Sequence, residues 1–139
     1  MLKYMCFRRG IMKALSIKEP YASLIAYGYK RIETRSYKTN YRGELYIHAS
    51  LTNFKGDLSN TYKYINKDKY NNGYIICKCN LVDCIYMDQE YIDSVPLKEK
   101  ELGIYEIGRY AWVLDNVELI DPIKAKGKLN IWEVNINEL

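Results

Sequence analysis

The residues of this sequence best suited to chemistry lie between Gly28 and Arg35, in the stretch Gly-Tyr-Lys-Arg-Ile-Glu-Thr-Arg. Lys30 could contact a phosphate, or act as a base if burial and neighbouring positive charges favour its neutral amine. Glu33 could hold Arg35 or accept a hydrogen bond from the amino group of a base. Arg35 presents a planar fork of donors that suits a phosphate or a base edge. These residue types therefore indicate the wall of a ligand site.

The same stretch could instead be an ordinary exposed strand. In a strand over residues 30–36, alternate side chains point to opposite faces, with Arg31, Glu33 and Arg35 on one and Lys30, Ile32 and Thr34 on the other. Ile32 is then expected to point to the core, which puts Lys30 out of phase with Glu33 unless the chain bends after Gly28. A glutamate between two exposed arginines contributes little energy. Spacing alone favours the exposed strand.

The elements that position this stretch can be predicted from the residues before it. The alternation in Lys-Ala-Leu-Ser-Ile-Lys (13–18) predicts a strand. Pro20 fits the first turn of a helix, where its missing N–H costs nothing. Leu24 and Ile25 continue in helical register, and Gly28 is suited to end the helix in the left-handed conformation. The charged stretch is therefore expected to start just past a helix C-terminus.

The rest of the chain reads as short strands. Strands are predicted over 43–50, 74–87, 110–120 and 131–136, with an irregular or helical excursion over 51–72 and a short helical turn within 97–105. His48 falls on the polar face of its strand, and as a lone histidine it is interpreted as a bystander rather than an acid–base catalyst. Many short strands with one early helix predict a small, mostly β, barrel-like domain.

Length and charge limit the class of protein. The 139 residues fit one domain. Residues 1–50 carry ten Lys or Arg against three Glu, although the whole chain has a net charge of only +4. This asymmetry indicates either an anionic partner such as RNA, DNA or a nucleotide, or a flexible leader and a solvated face.

Several classes are excluded or disfavoured by the sequence. No apolar run reaches the roughly 20 residues of a membrane helix, and no signal peptide is recognisable, so we expect a cytoplasmic protein without membrane contact. Cys77 and Cys79 lie two apart in an apolar stretch and are interpreted as buried thiols rather than zinc ligands. No phosphate-binding glycine loop or metal-ligand cluster is present, so we expect no metal and no cofactor.

Aromatic and basic residues near the charged stretch have two interpretations each. Tyr21, Tyr37 and Tyr41 could stack on bases, which is worth roughly 1–3 kcal/mol per base, or could pack in the core. Arg42 precedes a turn glycine and could contact a phosphate or remain solvated. Lys126-Gly127-Lys128 is interpreted as a turn rather than a second anion contact. Trp112 and Trp132 are predicted to anchor the core.

Taken together, blocks over 12–50, 71–87 and 110–134 resemble the ASCH domain (the ASC-1 homology branch of the PUA-like superfamily). The family signature G-x-K-x-x-E-x-R is met by Gly28, Lys30, Glu33 and Arg35. The resemblance covers roughly residues 12–136. It implies a leader over 1–11 and a single domain over 12–139.

The resemblance implies a mostly β, α+β pseudo-barrel with a ligand cleft beside the first helix. Members are thought to bind RNA or nucleotides. The signature residues Lys30, Glu33 and Arg35 would then line the cleft, with Tyr21, Tyr37 and Arg42 as further candidate ligand or RNA contacts. Pro20, Gly28, Trp112 and Trp132 would have structural roles.

Some small bacterial relatives hydrolyse N4-acetylcytidine without an evident metal, using the signature lysine and a threonine three positions later. Here that later position is Glu33. If this chain is an enzyme, Lys30 would activate water or attack, and Glu33 would move the proton. A third alternative is a protein-interaction domain with a vestigial cleft.

The chain departs from the family pattern at three positions. Glu19-Pro20-Tyr21 replaces the usual Gln-Pro-Trp, and Tyr37 replaces a frequent tryptophan. Because Glu19 adds negative charge, it is expected to make a nearby phosphate less favourable.

Overall fold

The computed structural model describes residues 11–135 and 137. The strands are β1 (Ile11–Glu19), β2 (Ile32–Arg35), β3 (Gly43–Asn53), β4 (Tyr74–Tyr86), β5 (Tyr110–Lys124) and β6 (Ile131–Asn135). The α-helices are α1 (Tyr21–Ala26), α2 (Gln89–Ser94) and α3 (Leu97–Lys100), and single 3-10 turns occur at Ser59–Thr61 and Lys67–Lys69. Residues 1–10 of the predicted leader lie outside the described residues, while Ile11 already belongs to β1. Within the described ranges, no helix has both the length and the apolar character needed to cross a bilayer.

All six strands form one mixed sheet in the order β2–β5–β4–β3–β1–β6. Only β1 and β3 run parallel; the other neighbours are antiparallel. This confirms the predicted mostly β, α+β class. The edges are β2 and β6, so the sheet is open rather than a closed barrel.

The sheet nevertheless curls until two distant strands meet. Strands β5, β4 and β3 separate β2 from β1 in the sheet order. Even so, the Arg35 Nη2 atom at the end of β2 donates a hydrogen bond of 2.9 Å to the Ser16 carbonyl in β1. The curl leaves a gap between β2 and β1 that is spanned by side chains and not by strand pairing.

The core fills the concave side of the curled sheet. Its apolar residues recur at alternate positions of the strands, as expected for a sheet with one buried face. The buried core residues on the three central strands include Leu15, Ile17, Leu45, Ile47, Ala49, Cys77, Cys79 and Leu81. Helix α1 adds Ala22 and Ile25, and both Trp112 and Trp132 are buried as predicted.

The C-terminus of α1 determines how the charged stretch enters the sheet. Gly28 adopts φ +86°, the left-handed conformation predicted for it. The amides of Tyr29 and Lys30 both donate to the Leu24 carbonyl, at 2.9 and 3.1 Å. The strand begins only at Ile32, so the prediction of a strand from residue 30 was wrong by two residues. The chain bends over residues 28–31, and this bend reorients Lys30.

Other differences from the predicted elements are small. Strand β3 continues to Asn53, and helix α2 was not predicted. Strand β5 is a single bent strand whose pairing with β4 shifts register three times, and Asn116 within it has φ 50°. The predicted last strand over 131–136 is confirmed to Asn135, and residue 136 lies outside the described residues.

Candidate functional site

The gap between β2 and β1 contains a cavity of about 640 Å³. This volume lies within the range of small-molecule sites in proteins. The walls come from β1, β2, the second half of β3, residues 102–104 and residues 126–130. Six basic side chains line it: Lys18, Lys30, Arg35, Arg109, Lys126 and Lys128. Glu33 is the one acidic residue among the described residues that line the cavity.

Lys30 is buried in the cavity wall, with 1% of its surface exposed. Its Nζ donates to the carbonyls of Ile32 at 2.5 Å and Leu102 at 2.6 Å. Burial lowers the pKa of Lys30, while the carboxylates of Glu33 and Glu99 act in the opposite direction. Lys30 therefore joins the bend after α1 to the loop before β5.

The bend after Gly28 resolves the predicted phase conflict. Lys30 and Glu33 both face the cavity, whereas Ile32 is only half-buried and does not belong to the core cluster. The prediction that Ile32 points into the core was therefore wrong. Once Lys30 leaves the strand, its side chain no longer has to follow the strand alternation.

Glu33 and Arg35 form an ion pair across the face of β2. The Arg35 Nε atom lies 3.1 Å from Glu33 Oε2. The same guanidinium donates from Nη2 to the Ser16 carbonyl, from Nη1 to the Tyr37 hydroxyl at 3.4 Å, and lies 5.7 Å from the Trp112 ring. Since a guanidinium has five N–H donors, two remain for a ligand.

His48 forms the opposite wall with Ser16. Its Nε2 lies 2.7 Å from the Ala125 carbonyl and its Nδ1 lies 2.9 Å from Ser16 Oγ. A carbonyl only accepts, so Nε2 carries the hydrogen and Nδ1 accepts from the Ser16 hydroxyl. Burial lowers the pKa of His48. Only 1% of the surface of His48 is exposed. The polar face of β3 that the alternation predicted is therefore covered at this residue.

The chain crosses this wall at Gly127 in close contact. A Cβ atom at Gly127 would lie 2.6 Å from Ser16 Oγ and 2.8 Å from the His48 ring. Only glycine lets the backbone lie this flat on the two side chains. The neighbouring Lys126 and Lys128 both line the cavity, a placement that the interpretation as a simple turn missed.

Further residues of the cavity carried no signal in the sequence. Thr34 accepts the Ile104 amide on its Oγ1 at 3.2 Å, and the Arg109 Nη2 atom donates to the Thr34 carbonyl at 3.1 Å. Lys18 follows Ile17 on β1 and is exposed. Each is an ordinary polar residue in its own segment, and only the curl of the sheet brings them to one cavity.

The structure separates the tyrosine candidates. Tyr21 lines the cavity with its ring 5.4 Å from Lys30 Nζ, and Tyr37 lines it with its ring edge-on to Trp112. Tyr41 instead packs against the core and donates to the Glu44 carbonyl.

Arg42 and Glu19 do not reach the cavity. The Arg42 Nη1 atom donates to the carbonyls of Thr39 and Tyr41, at 3.0 and 2.9 Å, and Arg42 is not among the described residues that line the cavity. Glu19 is fully buried and accepts from the amides of Ser23 at 2.8 Å and Asn71 at 2.7 Å. Its carboxylate is therefore held inside the protein and does not line the cavity.

The three cysteines of the described residues, Cys77, Cys79 and Cys84, do not line this cavity. Cys77 and Cys79 are buried on one face of β4, as their spacing predicted. Burial raises the pKa of Cys79 to about 12 and also raises that of Cys77. In the described part of the chain, no three His, Cys, Asp or Glu side chains are grouped to hold a metal ion.

Comparison with known proteins agrees with the signature. The sequence model of the ASCH domain matches residues 15–125. Activating signal cointegrator 1 from Homo sapiens and from Mus musculus are each 28% identical over 132 residues, covering 87% of this chain. The chain spans only 22% of the length of these relatives. Because the domain match runs from Leu15 within β1 to the residue after β5 and includes every signature residue, the chain belongs to the ASCH domain family.

Proposed function

We propose that this domain binds RNA or a nucleotide-like ligand in the cavity between β2 and β1. The observation that carries the proposal is the charge of the wall. Six Lys or Arg side chains line the cavity against one carboxylate, Glu33, which is already paired with Arg35. A concave surface with such an excess attracts anions.

Some of the basic residues outside the cavity are paired with carboxylates. Lys13, Lys63 and Lys78 each lie within 4 Å of a glutamate, at 2.6, 3.4 and 3.6 Å. Within the described residues, the cavity contains a single ion pair for its six cations. Positive charge is therefore left uncompensated where the surface is concave.

The side chains also suit a base or nucleoside. Tyr21 and Tyr37 offer ring surface beside the cations, and Glu33 could accept from a base amino group while Arg35 donates to a carbonyl or phosphate. Membership of the ASCH family supports the same class, since its members are thought to bind RNA or nucleotides.

Titration of a fluorescently labelled single-stranded RNA with the full chain tests the proposal. Glu33→Gln and Arg35→Lys should both weaken binding, because each keeps the size of the side chain but disturbs the pair that faces the ligand. Lys78→Ala removes a cation outside the cavity and is the matched control. Equal affinity of all four proteins would refute this placement of the site.

A second candidate is hydrolysis of a modified pyrimidine nucleoside, and the environment of Lys30 favours it. A neutral Lys30 amine that donates its two hydrogens to Ile32 and Leu102 keeps one lone pair, and burial favours that neutral form. Lys30 could take a proton from water as the water attacks an N-acetyl carbonyl. Glu33 could then relay this proton from the Lys30 ammonium to the leaving amine, so that the C–N bond breaks and acetate and the free amine are formed.

Incubation with N4-acetylcytidine followed by chromatography tests this candidate. Release of cytidine that is lost in Lys30→Ala, with an unchanged circular dichroism spectrum, would support hydrolysis. No cytidine from the unmodified protein would exclude this substrate.

A further inference from the structure

Three lysines on one side of the cavity remain unexplained by the ligand contacts proposed so far. We infer that Lys18, Lys126 and Lys128 form a phosphate subsite, so that the ligand is a phosphorylated nucleotide, either a free phosphomonoester or a phosphodiester within RNA. This inference rests on the proposed function and names the chemical class of its ligand.

The inner cations of the cavity are already used by the protein itself. Lys30 donates to two carbonyls, Arg35 to the Ser16 carbonyl, and Arg109 to the carbonyls of Ile104 and Thr34. These three side chains hold main-chain segments together. Their capacity for a fully charged phosphate is correspondingly reduced.

The outer lysines differ from them in this respect. Lys18, Lys126 and Lys128 are exposed and line the cavity. In the part of the chain that the structure describes, none of the three forms an ion pair or a side-chain hydrogen bond. No carboxylate from the described residues lines their side of the cavity, because Glu33 belongs to β2. Ammonium groups without such partners can donate hydrogen bonds to a phosphate, whose oxygens accept them.

The backbone beneath two of these lysines is held in place. Gly127 lies flat on Ser16 and His48, and the carbonyl of the preceding Ala125 accepts from His48 Nε2 at 2.7 Å. Ser16 is itself held by the Trp132 indole, which donates to its Oγ at 3.2 Å. Since the main chain does not have to be ordered on binding, only the lysine side chains lose freedom. This distinguishes the pair from lysines on an unconstrained loop.

The cavity thus divides into two parts. Glu33 and Thr34 with the rings of Tyr21 and Tyr37 lie on the β2 and α1 side, where a base and its sugar would bind. The outer lysines lie on the β1 side and would bind the phosphate. A nucleoside would use the first part alone, whereas a nucleotide would use both.

Calorimetric titrations of the full chain can separate the two parts. The ligands are the four common ribonucleosides, their 5′-monophosphates and a single-stranded RNA of eight nucleotides. The test protein is Lys126→Ala/Lys128→Ala. The control is Lys67→Ala/Lys69→Ala, which removes two exposed lysines with the same spacing from a 3-10 turn outside the cavity.

We expect the unmodified protein to bind at least one monophosphate about tenfold or more tightly than its nucleoside, as charge-assisted contacts of two lysines imply. The test protein should lose this difference and keep its affinity for the nucleoside. With RNA, the slope of log K against log salt should fall by about 1.4, because about 0.7 is lost per phosphate contact on a single strand. A loss confined to the monophosphates would identify the free nucleotide as the source, and a loss with RNA would identify the phosphodiester.

The inference and the proposed function fail in different ways. If nucleosides and monophosphates bind equally, or if the test and control proteins behave alike, the subsite is refuted while binding in the cavity stands. If no nucleoside, monophosphate or RNA binds the unmodified protein, both are refuted. Equal urea unfolding midpoints of the two double variants would exclude a folding defect as the cause.

Discussion

At the scale of single residues, His48 shows that the polar face of a strand can be covered by another part of the protein instead of facing solvent. The alternation of β3 correctly separated His48 from Leu45, Ile47 and Ala49. The side it faces is the cavity wall and not bulk solvent, because Ala125 and Gly127 lie against the ring. Burial of the ring lowers the pKa of His48, although the hydrogen bond to the Ala125 carbonyl acts in the opposite direction. A buried neutral histidine makes the fold sensitive to pH.

This sensitivity gives a prediction. The pKa of His48 in the folded chain lies below its ordinary value of 6.5. The unfolded chain therefore binds the proton first as the pH falls, and the free energy of unfolding should decrease from pH 6.5 downwards, by at most about 1.4 kcal/mol per pH unit. Urea unfolding over about pH 5 to 7.5 measures it.

His48→Gln is the reference protein for this experiment. It lacks the titrating ring and should show a flatter profile, and the chain contains no second histidine to obscure the difference. Parallel profiles of the two proteins would mean that His48 does not titrate differently in the folded and unfolded states.

At the scale of elements, the segment from Gly28 to Arg35 combines a helix cap, a bend and a short strand. The cap was predictable, because glycine is the residue that adopts a positive φ without strain. The turn of Lys30 into the cavity, which follows from the bend, was not predictable, since it depends on contacts with α3 and the loop after it. Glu99 in α3 accepts the amides of Arg31 and Ile32 at 3.0 and 3.3 Å, and Lys30 donates to Leu102.

Lys30 is therefore expected to hold the loop over residues 102–104 onto β2. Lys30→Met keeps an apolar stem of similar length but leaves the carbonyls of Ile32 and Leu102 without their donor. This should destabilise the loop by about 1–3 kcal/mol, the usual cost of buried polar groups that lose their partner. Amide hydrogen exchange should become faster over residues 99–104 and stay slow in β4.

Lys67→Met is the control for this substitution, since Lys67 is exposed outside the cavity. Faster exchange over the whole chain in Lys30→Met would instead show that the fold as a whole depends on Lys30. No change in exchange would mean that the hydrogen bonds of Lys30 to the two carbonyls do not stabilise the loop.

At the scale of the whole molecule, the decisive feature is an open sheet that curls without closing. Strands β2 and β1 approach each other without pairing, and the Arg35 guanidinium bridges them. Glu33 fixes the orientation of that guanidinium through its contact with Nε. The cavity exists because this gap is bridged at one point and left open beside it.

The ion pair is expected to contribute to global stability. Arg35→Met should lower the free energy of unfolding by about 2–3 kcal/mol, because it removes charge-assisted hydrogen bonds and leaves the buried Glu33 without its partner. Adding Glu33→Gln should recover part of the loss. Urea unfolding of both single variants and the double variant gives the coupling.

Strictly additive losses in this cycle would contradict an energetic role for the Glu33–Arg35 ion pair, since residues in direct contact are expected to couple. A loss in Arg35→Met as small as that of an exposed arginine such as Arg31→Met would do the same.

The residue pattern alone predicted most of the strands, the first helix, the family and most of the core, but not helix α2 or the start of β2. Period-two alternation places Leu15, Ile47 and Cys77 inside the sheet whatever surrounds them, and Gly28 ends its helix for local steric reasons. The family signature G-x-K-x-x-E-x-R could be recognised from the residue types and their spacing. Which of these face one another was decided only by the tertiary structure. The curl of the sheet and the bend over residues 28–31 depend on contacts between segments distant in the sequence, such as those of Arg35 with Ser16 and of Lys30 with Leu102, which are 72 residues apart. For that reason the sequence placed Arg42 in the site and Lys126 and Lys128 outside it, and the fold reversed both.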